Sequence, residues 1–530
     1  MVLDGTARSA LAAVAIVLAL LILLVFWRYS RRELPPGPPG LPLIGNFYEI
    51  PGPHADGHIT YADLATKYGD VVTLRAFDQT LIILGSATAA IDLLEKRSIY
   101  ADRPASPLVE MTGWIWALVF KRYGAEWRDT RRVFWQHFHP KVVGTFRPVQ
   151  LREAQELLRR LLRVPNDLEG EIKMSMIATT LTVAQGLPEG DITHRWVDAM
   201  MDTVMGFTEA SRPFGYLVEV FPWLRYVPAW VPGMDWKRNV LEWREPTEVI
   251  RDKPFKLAQA AMDREEAMPS MLSQLLEDLA YLSGPDAERE EAAIKDATSS
   301  VVVAGVDTTS ATLIGFFCAM LMNPKVQKRA QDELDLVVGP ARLPSHDDRD
   351  FLPYINAIVK ESLRWHTVLP LGIAHRCMEE DQYRGWRIPK GAVVLANVWS
   401  ILHDPTAYPD PDIFRPERFL EDGDGAPAEV LDPGSIMFGF GRRVCPGRHF
   451  AEDTLFIYIA SILHVYDILP ARDAHGEPIF VEAQATPGFL SYIKPFRYLV
   501  RPRSKAAEAL IRREGPDSQY FPTEPMPTGD

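Results

Sequence analysis

The chain has 530 residues, enough for one large core or for two to three domains, and its 47% hydrophobic and 24% charged residues exclude a disordered polymer. Its net charge of −13, with no clustered basic stripe, excludes binding to nucleic acid through phosphate contacts. Cys318, Cys377 and Cys445 stand far apart, which excludes a disulfide framework or a zinc site and fits a reducing compartment.

Residues Ala10 to Trp27 are uniformly apolar, and a helix of that length rises about 27 Å against a bilayer core of roughly 30 Å. Arg28, Arg31 and Arg32 follow, and only Arg8 precedes, so the positive-inside rule puts the body in the cytosol. A cleaved signal peptide is the rival reading, opposed by the length of the run and by positive charge on the wrong flank. Residues 1–28 are thus expected as a membrane anchor and 29–46 as a basic, Pro-rich hinge. Within the hinge, Pro35-Pro36-Gly37-Pro38-Pro39-Gly40 forms a stiff spacer. Residues 47–503 contain no repeat or low-complexity linker and read as one domain. Residues 504–530 turn polar and Pro-rich and read as a flexible tail.

The body reads as mostly helix with a few hairpins. Val71–Leu74 and Leu81–Leu84 pair across Phe77-Asp78-Gln79, and Tyr383–Ile388 and Ala392–Asn397 flank Pro389-Lys390-Gly391. One continuous helix runs from about Glu290 to Met322, stopped by Asn323-Pro324. Its apolar second half predicts burial.

Four stretches carry chemistry. Trp127 and Arg131, at i and i+4, share a helix face. Ala304-Gly305-Val306-Asp307-Thr308-Thr309 puts an acid into an apolar helix, which is costly without a partner or a task. Gly305 forgoes about 1 kcal/mol of helix propensity against Ala and is expected to open room for a small ligand; the rival reading is a Ser/Thr-rich kink with a capped Asp. Glu361 and Arg364 pair at i and i+3 on a helix that also carries Ile355, Ile358 and Leu363, so the pair is partly buried. In Phe438-Gly439-Phe440-Gly441-Arg442-Arg443-Val444-Cys445-Pro446-Gly447, glycines allow tight turns, Arg443 sets a cation near the sulfur, and the helix Phe450–Leu463 follows. A thiolate metal ligand accounts for all of these features together, where the bland alternative is a buried inert thiol.

The last stretch resembles the haem-binding signature of the cytochrome P-450 family, Phe-x-x-Gly-x-Arg-x-Cys-x-Gly, at Phe438, Gly441, Arg443, Cys445 and Gly447. The resemblance implies a mainly α fold with small β-sheets, the cytochrome P-450 fold, with one N-terminal transmembrane helix. It implies haem b with iron held by Cys445 and Phe438 beside the ring, a propionate clamp of Trp127 and Arg131 with Arg443, and oxygen activation by Asp307 and Thr308. His375 falls where relatives bind a propionate, although Ala374 replaces their Pro and a neutral core histidine is the alternative. Arg418 would join Glu361 and Arg364 in a structural triad.

Arg128, Arg132, Arg442 and Arg448 would face the electron donor, an NADPH-dependent flavoprotein reductase, or would simply be solvated charge. The aromatic segment Phe214–Trp236 either touches the membrane while roofing the substrate pocket or packs as ordinary core. By family position, the substrate contacts are Leu108–Trp116, Val302 to Val306, Val368 to Ile373 and Pro487 to Leu490. Their apolar character favours a terpenoid, polyketide, fatty acid or sterol. The implied activity is O2-dependent hydroxylation or epoxidation, in secondary-metabolite biosynthesis, by an endoplasmic reticulum membrane protein with a cytosolic catalytic domain. Two rivals are an isomerase or peroxide-using enzyme of the same fold, against which Asp307-Thr308 argues, and a non-catalytic membrane haem protein.

Overall fold

The computed structural model describes residues 17–18, 33–52, 55–187, 203, 206–209, 211, 215–420 and 430–513. The expected membrane segment Ala10–Trp27 lies outside these residues, apart from Val17 and Leu18, which are helical and exposed. Six helices build the main core. α1 (Ala125–Phe138) buries Trp127, Thr130, Val133, Phe134 and Phe138, the spacing of one helix face. α2 (Arg147–Arg163) takes a proline in its first turn. α3 (Leu168–Gln185) is capped by Asp167, whose Oδ1 accepts from the Gly170 N–H at 3.0 Å. α4 (Pro285–Met322), α5 (Pro353–Trp365) and α6 (Arg448–Val465) complete the set.

α4 is the long helix expected from the sequence, begun five residues earlier by Pro285. It is long and apolar enough to cross a membrane, but 78% of its apolar window is buried inside the protein, so it is a core helix. It packs most extensively on α3. A Cβ on Gly305 would lie 2.7 Å from the Thr180 methyl. Gly305 therefore also lets two helices close on each other, a packing role beside the one expected of it.

The first hairpin forms as expected: β1 (Val71–Ala76) pairs antiparallel with β2 (Gln79–Leu84). The second region differs. β3 (His375–Arg376) is short, and β4 (Asp381–Tyr383) and β5 (Trp386–Ile388) form a hairpin of their own. Arg384 and Gly385, with φ of 52° and 83°, make its two-residue left-handed turn. Tyr383–Ile388 is therefore not one strand. β6 (Val393–Ala396) runs parallel to β2, giving the sheet order β1-β2-β6-β3. β7 (Tyr466–Pro470) and β8 (Tyr498–Pro502) form a separate ribbon.

Both ends of the domain are more ordered than composition suggested. The Pro-rich strip lies along the outer edge of β1: the Thr73 N–H donates to Pro36 O at 2.8 Å and the Phe77 N–H to Ile44 O at 3.3 Å. Buried Asn46 bridges the strip to β1, donating to Pro38 O and accepting from the Arg75 N–H. At the other end, Lys505–Arg512 is a helix capped by Ser504, with Ala507 and Ile511 buried. This corrects the expected tail from 504: i, i+4 apolar spacing outweighs the polar composition there. Residues 514–530 lie outside the described set.

Candidate active site

The cysteine loop is held by its own backbone. Gly441 has φ of 54°, and a Cβ there would meet Leu94 O at 2.6 Å, so the position takes only glycine. The Cys445 N–H donates to Phe438 O at 2.7 Å. Arg443 turns inward, donating from Nε to Ala101 O at 2.6 Å and from Nη2 to Lys121 O at 2.9 Å. Its guanidinium lies 4.5 Å from the Trp127 ring centre, and its buried Nη1 has no partner. Burial pushes the Cys445 thiol up, opposed by the Gly447 N–H and by the Arg131 and Arg448 cations.

Above this loop is a cavity whose far wall is α4, contributing Val303, Ala304, Gly305, Asp307 and Thr308. Cys445, Phe438, Trp127, Arg131, Arg443 and His375 line the same cavity, so the structure brings these site residues together. Among the described residues lining it, Asp307 is the only acid, against three arginines, Arg103, Arg131 and Arg443. Outside the lining, Asp102 acts on Arg103 and Arg443, but it is already paired with Arg122 at 2.5 Å. A flat group bearing two carboxylates and an iron atom suits the donor set: guanidinium forks for the acids and sulfur for the metal.

Arg103 was not anticipated from the sequence. It is buried, donating from Nε to Val119 O at 3.0 Å and from Nη1 to Ala374 O at 2.9 Å. Those carbonyls come from distant parts of the chain, so no local signal marks it. His375 is placed on β3, with Nδ1 2.9 Å from Tyr100 O. A carbonyl can only accept, so Nδ1 carries the proton and Nε2 is an acceptor in the neutral ring. Burial and the neighbouring Arg103 and Arg443 cations hold its pKa well down. In the neutral ring Nε2 only accepts, so His375 would donate to a carboxylate once protonated.

Asp307 is buried, with no partner for Oδ1, and burial pushes its carboxyl up to about 6. Thr308 donates from Oγ1 to Ala304 O at 2.8 Å, the back-bond typical of a helical threonine. Away from the cavity, fully buried Glu361 accepts from Arg364 Nε at 2.7 Å and Nη2 at 2.8 Å, from Arg418 Nε at 3.2 Å, and from the Arg415 N–H at 2.8 Å. The two guanidinium groups then hold the carbonyls of Leu402, Pro409 and Ile413.

The expected substrate segments reach the cavity in part. Trp114, Trp116, Val303, Leu369, Phe489 and Leu490 line it, whereas Val302 and Val306 are buried elsewhere. Phe207, not anticipated, completes an aromatic wall 5.1 Å from Trp114 and 5.8 Å from Phe489, ring centre to ring centre. The described part of the aromatic segment is partly core and partly exposed, and none of it lines the cavity. Val218 and Leu224 share a cluster with Leu108, Trp114 and Trp116, while Tyr226 and Trp230 are 77% and 80% exposed. Exposed Leu43 and Tyr48 lie near Phe47, and a chain of ring contacts runs from Phe47 through Phe77 to Phe221. Of the four surface arginines, Arg132 pairs with Glu290 at 2.5 Å, Arg448 is half-buried, and Arg128 and Arg442 are exposed.

Two links tie the segments 106–111 and 217–226. Glu219 Oε1 accepts from the Ser106 hydroxyl at 2.7 Å and from the Leu108 N–H at 3.1 Å, and Arg225 pairs with Glu110 at 2.7 Å. Burial pushes the Glu219 carboxyl up to about 7. A carboxyl raised on folding contributes stability below its ordinary pKa and loses it as pH rises through the folded value. Amide exchange of 107–111 and 217–226, corrected for intrinsic rate, is expected to quicken between pH 6 and 8, and Glu219→Gln to flatten that rise. Equal pH dependence in the two proteins would refute the link.

A model of the cytochrome P-450 family matches residues 35–500. Cytochrome P-450 monooxygenase COX2 of Coprinopsis cinerea is 38% identical over 483 residues, 91% of each chain. Cytochrome P-450 monooxygenase 208 of Postia placenta is 40% identical over 489 residues, 90% of this chain and 92% of its own. Tryptamine 4-monooxygenase of Psilocybe cyanescens is 38% identical over 479 residues, 89% of this chain and 93% of its own.

Proposed function

The chain belongs to the cytochrome P-450 family and is a haem-thiolate monooxygenase, and from that premise we propose that Cys445 ligates the iron of haem b, with Asp307 and Thr308 supplying protons. The observation that carries this reading is one cavity lined by Cys445, by Asp307-Thr308 and by three arginines against that one acid among the described lining residues. Haem held by Cys445 would supply reductive activation of O2.

The chain's own residues do the rest. Arg443, Arg131 and Arg103 hold the propionates, and Trp127 stacks under Arg443 to fix its fork. A carboxyl at about 6 exchanges its proton near neutral pH, which suits Asp307 to general acid–base work. The Thr308 hydroxyl, once turned from Ala304 O, holds a proton at Oγ1 on the cavity side. Trp114, Phe207, Leu369 and Phe489 exclude water and favour an apolar substrate, which we take to be a terpenoid or polyketide secondary metabolite. The reaction is hydroxylation or epoxidation.

An NADPH-dependent flavoprotein reductase supplies the electrons in this reading, docking where exposed Arg128 and Arg442 offer cations to an acidic partner. The body sits on the cytosolic face of the endoplasmic reticulum, held by the single span Ala10–Trp27. The exposed rings of Trp223, Tyr226 and Trp230 support contact with lipid.

Reconstitution with such a reductase, NADPH and a broad panel of hydrophobic metabolites is expected to give a singly oxygenated product detected by mass. No reductase-dependent product across the panel would sink the reading. With the substrate so found, Thr308→Ala keeps the ferrous–carbon monoxide spectrum. It lowers product per NADPH about tenfold or more, the missing electrons appearing as hydrogen peroxide. Unchanged coupling removes Thr308 from the mechanism.

A further inference from the structure

Two indole donors in the cavity wall have nothing to give to. Trp114 and Trp116 line the cavity from one short helical turn, Trp114–Trp116, which Gly113 opens at φ of 80°. Ile115, between them, faces solvent, whereas Trp114 is fully buried and Trp116 nearly so. Their rings stack, with centres 5.4 Å apart and planes 30° apart. Nε1 of each is buried, and neither finds an acceptor among the described residues. A buried indole N–H ordinarily has a partner, and a donor left unmet destabilises the site until an acceptor arrives.

Other uncharged donors of the same wall are already committed. The hydroxyls of Thr180, Ser300, Thr308 and Thr312 donate to carbonyls one turn back, those of Met176 at 2.8 Å, Asp296 at 2.6 Å, Ala304 at 2.8 Å and Thr308 at 2.9 Å. His375 Nδ1 donates to Tyr100 O. The indole pair therefore sets what the wall can offer a neutral ligand. Tryptophan donates and cannot accept. Two such donors suit an oxygen that accepts twice and brings no proton, which is the carbonyl of a ketone, lactone or enone. A hydroxyl would carry a donor that indole cannot meet. A carboxylate would bury a charge, while the lining arginines are taken by propionates in the reading above. A bare hydrocarbon would leave both indoles unmet.

We propose that Trp114 and Trp116 are specificity-determining residues, and that the substrate is an apolar molecule with a carbonyl oxygen that accepts from their Nε1–H groups. This rests on the reading of the cavity as the site of an apolar substrate, and it narrows that class. The reaction that supplies the substrate must already have left a carbonyl on it.

The test uses the ferric holoenzyme and three probes of one carbon skeleton, 2-decalone, 2-decalol and decalin. Their dissociation constants are read from the change in haem absorbance, and the infrared carbonyl stretch of bound 2-decalone is recorded. Trp114→Phe and Trp116→Phe are each expected to lower the ratio of ketone to hydrocarbon affinity about tenfold and to raise the carbonyl stretch. Placing 3-benzothienylalanine at either position keeps the two-ring shape without the N–H. It is expected to give the same changes, which separates a lost donor from lost packing. If the Phe variants yield no holoprotein, the benzothienyl proteins give the decisive reading. An unchanged ratio and stretch there, with an intact ferrous–carbon monoxide spectrum, overturn the proposal and leave the indole N–H groups to the neighbouring rings of Phe207 and Phe120. Binding of 2-decalol as tight as that of 2-decalone overturns the carbonyl assignment. Failure of the cavity reading itself is distinct: none of the three probes changes the haem spectrum, and the proposal falls with it.

Discussion

Cys445→Ser is expected to abolish the thiolate-type spectrum of the ferrous–carbon monoxide complex and to reduce turnover to background. The loop should survive the change, because its bonds run through the backbone: the Cys445 N–H to Phe438 O, and the Arg443 side chain to Ala101 O and Lys121 O. The loss is therefore one of ligand chemistry, since a neutral hydroxyl lacks the electron donation of a thiolate. Burial holds the free thiol protonated, and an iron cation reverses that preference. Cys318→Ser and Cys377→Ser serve as controls, because neither residue lines the cavity. A thiolate-type spectrum persisting in Cys445→Ser would overturn the assignment outright.

Glu361→Ala is expected to destabilise the haem domain by about 3–5 kcal/mol, the usual cost of breaking a buried ion pair from one side. Glu361 and Arg364 are fully buried and Arg418 nearly so, so the two cations left behind have no water to turn to. The Arg415 N–H loses its acceptor as well. The damage should spread to the segment 402–413, whose carbonyls the two arginines hold. Urea denaturation followed by haem absorbance gives the measurement, and the fraction that folds should keep the parent spectrum. A change in stability below about 0.5 kcal/mol, the size expected of a surface substitution, would show that the triad does not brace the core.

The parts of the site legible in the sequence are those whose chemistry is local. The glycine–arginine–cysteine loop, Asp307-Thr308 on its helix, and Glu361 with Arg364 each declare themselves within ten residues. Arg103 and Phe207 do not, because each acquires its setting from segments far away in the chain. Gly305 has a second role that its own helix does not reveal, the close approach of Thr180 on the facing helix. The hairpin of β4 and β5 was missed because Arg384-Gly385 is a weaker turn signal than Pro389-Lys390-Gly391, although its left-handed φ angles set the register. The helix Lys505–Arg512 was hidden by composition, which records how many polar residues occur but not their spacing.

The Pro-rich strip lies on β1, the outermost strand of the four-stranded sheet. An open strand edge is a template on which another chain can grow. Here the strip occupies that edge, and its prolines, having no N–H, cannot pass the ladder onward. Residues 36–46 thus act as selvage to the sheet. A shortened chain beginning after residue 46 would keep every group around the cavity and yet bare a β edge, so its first defect would be self-association, with the chemistry left intact.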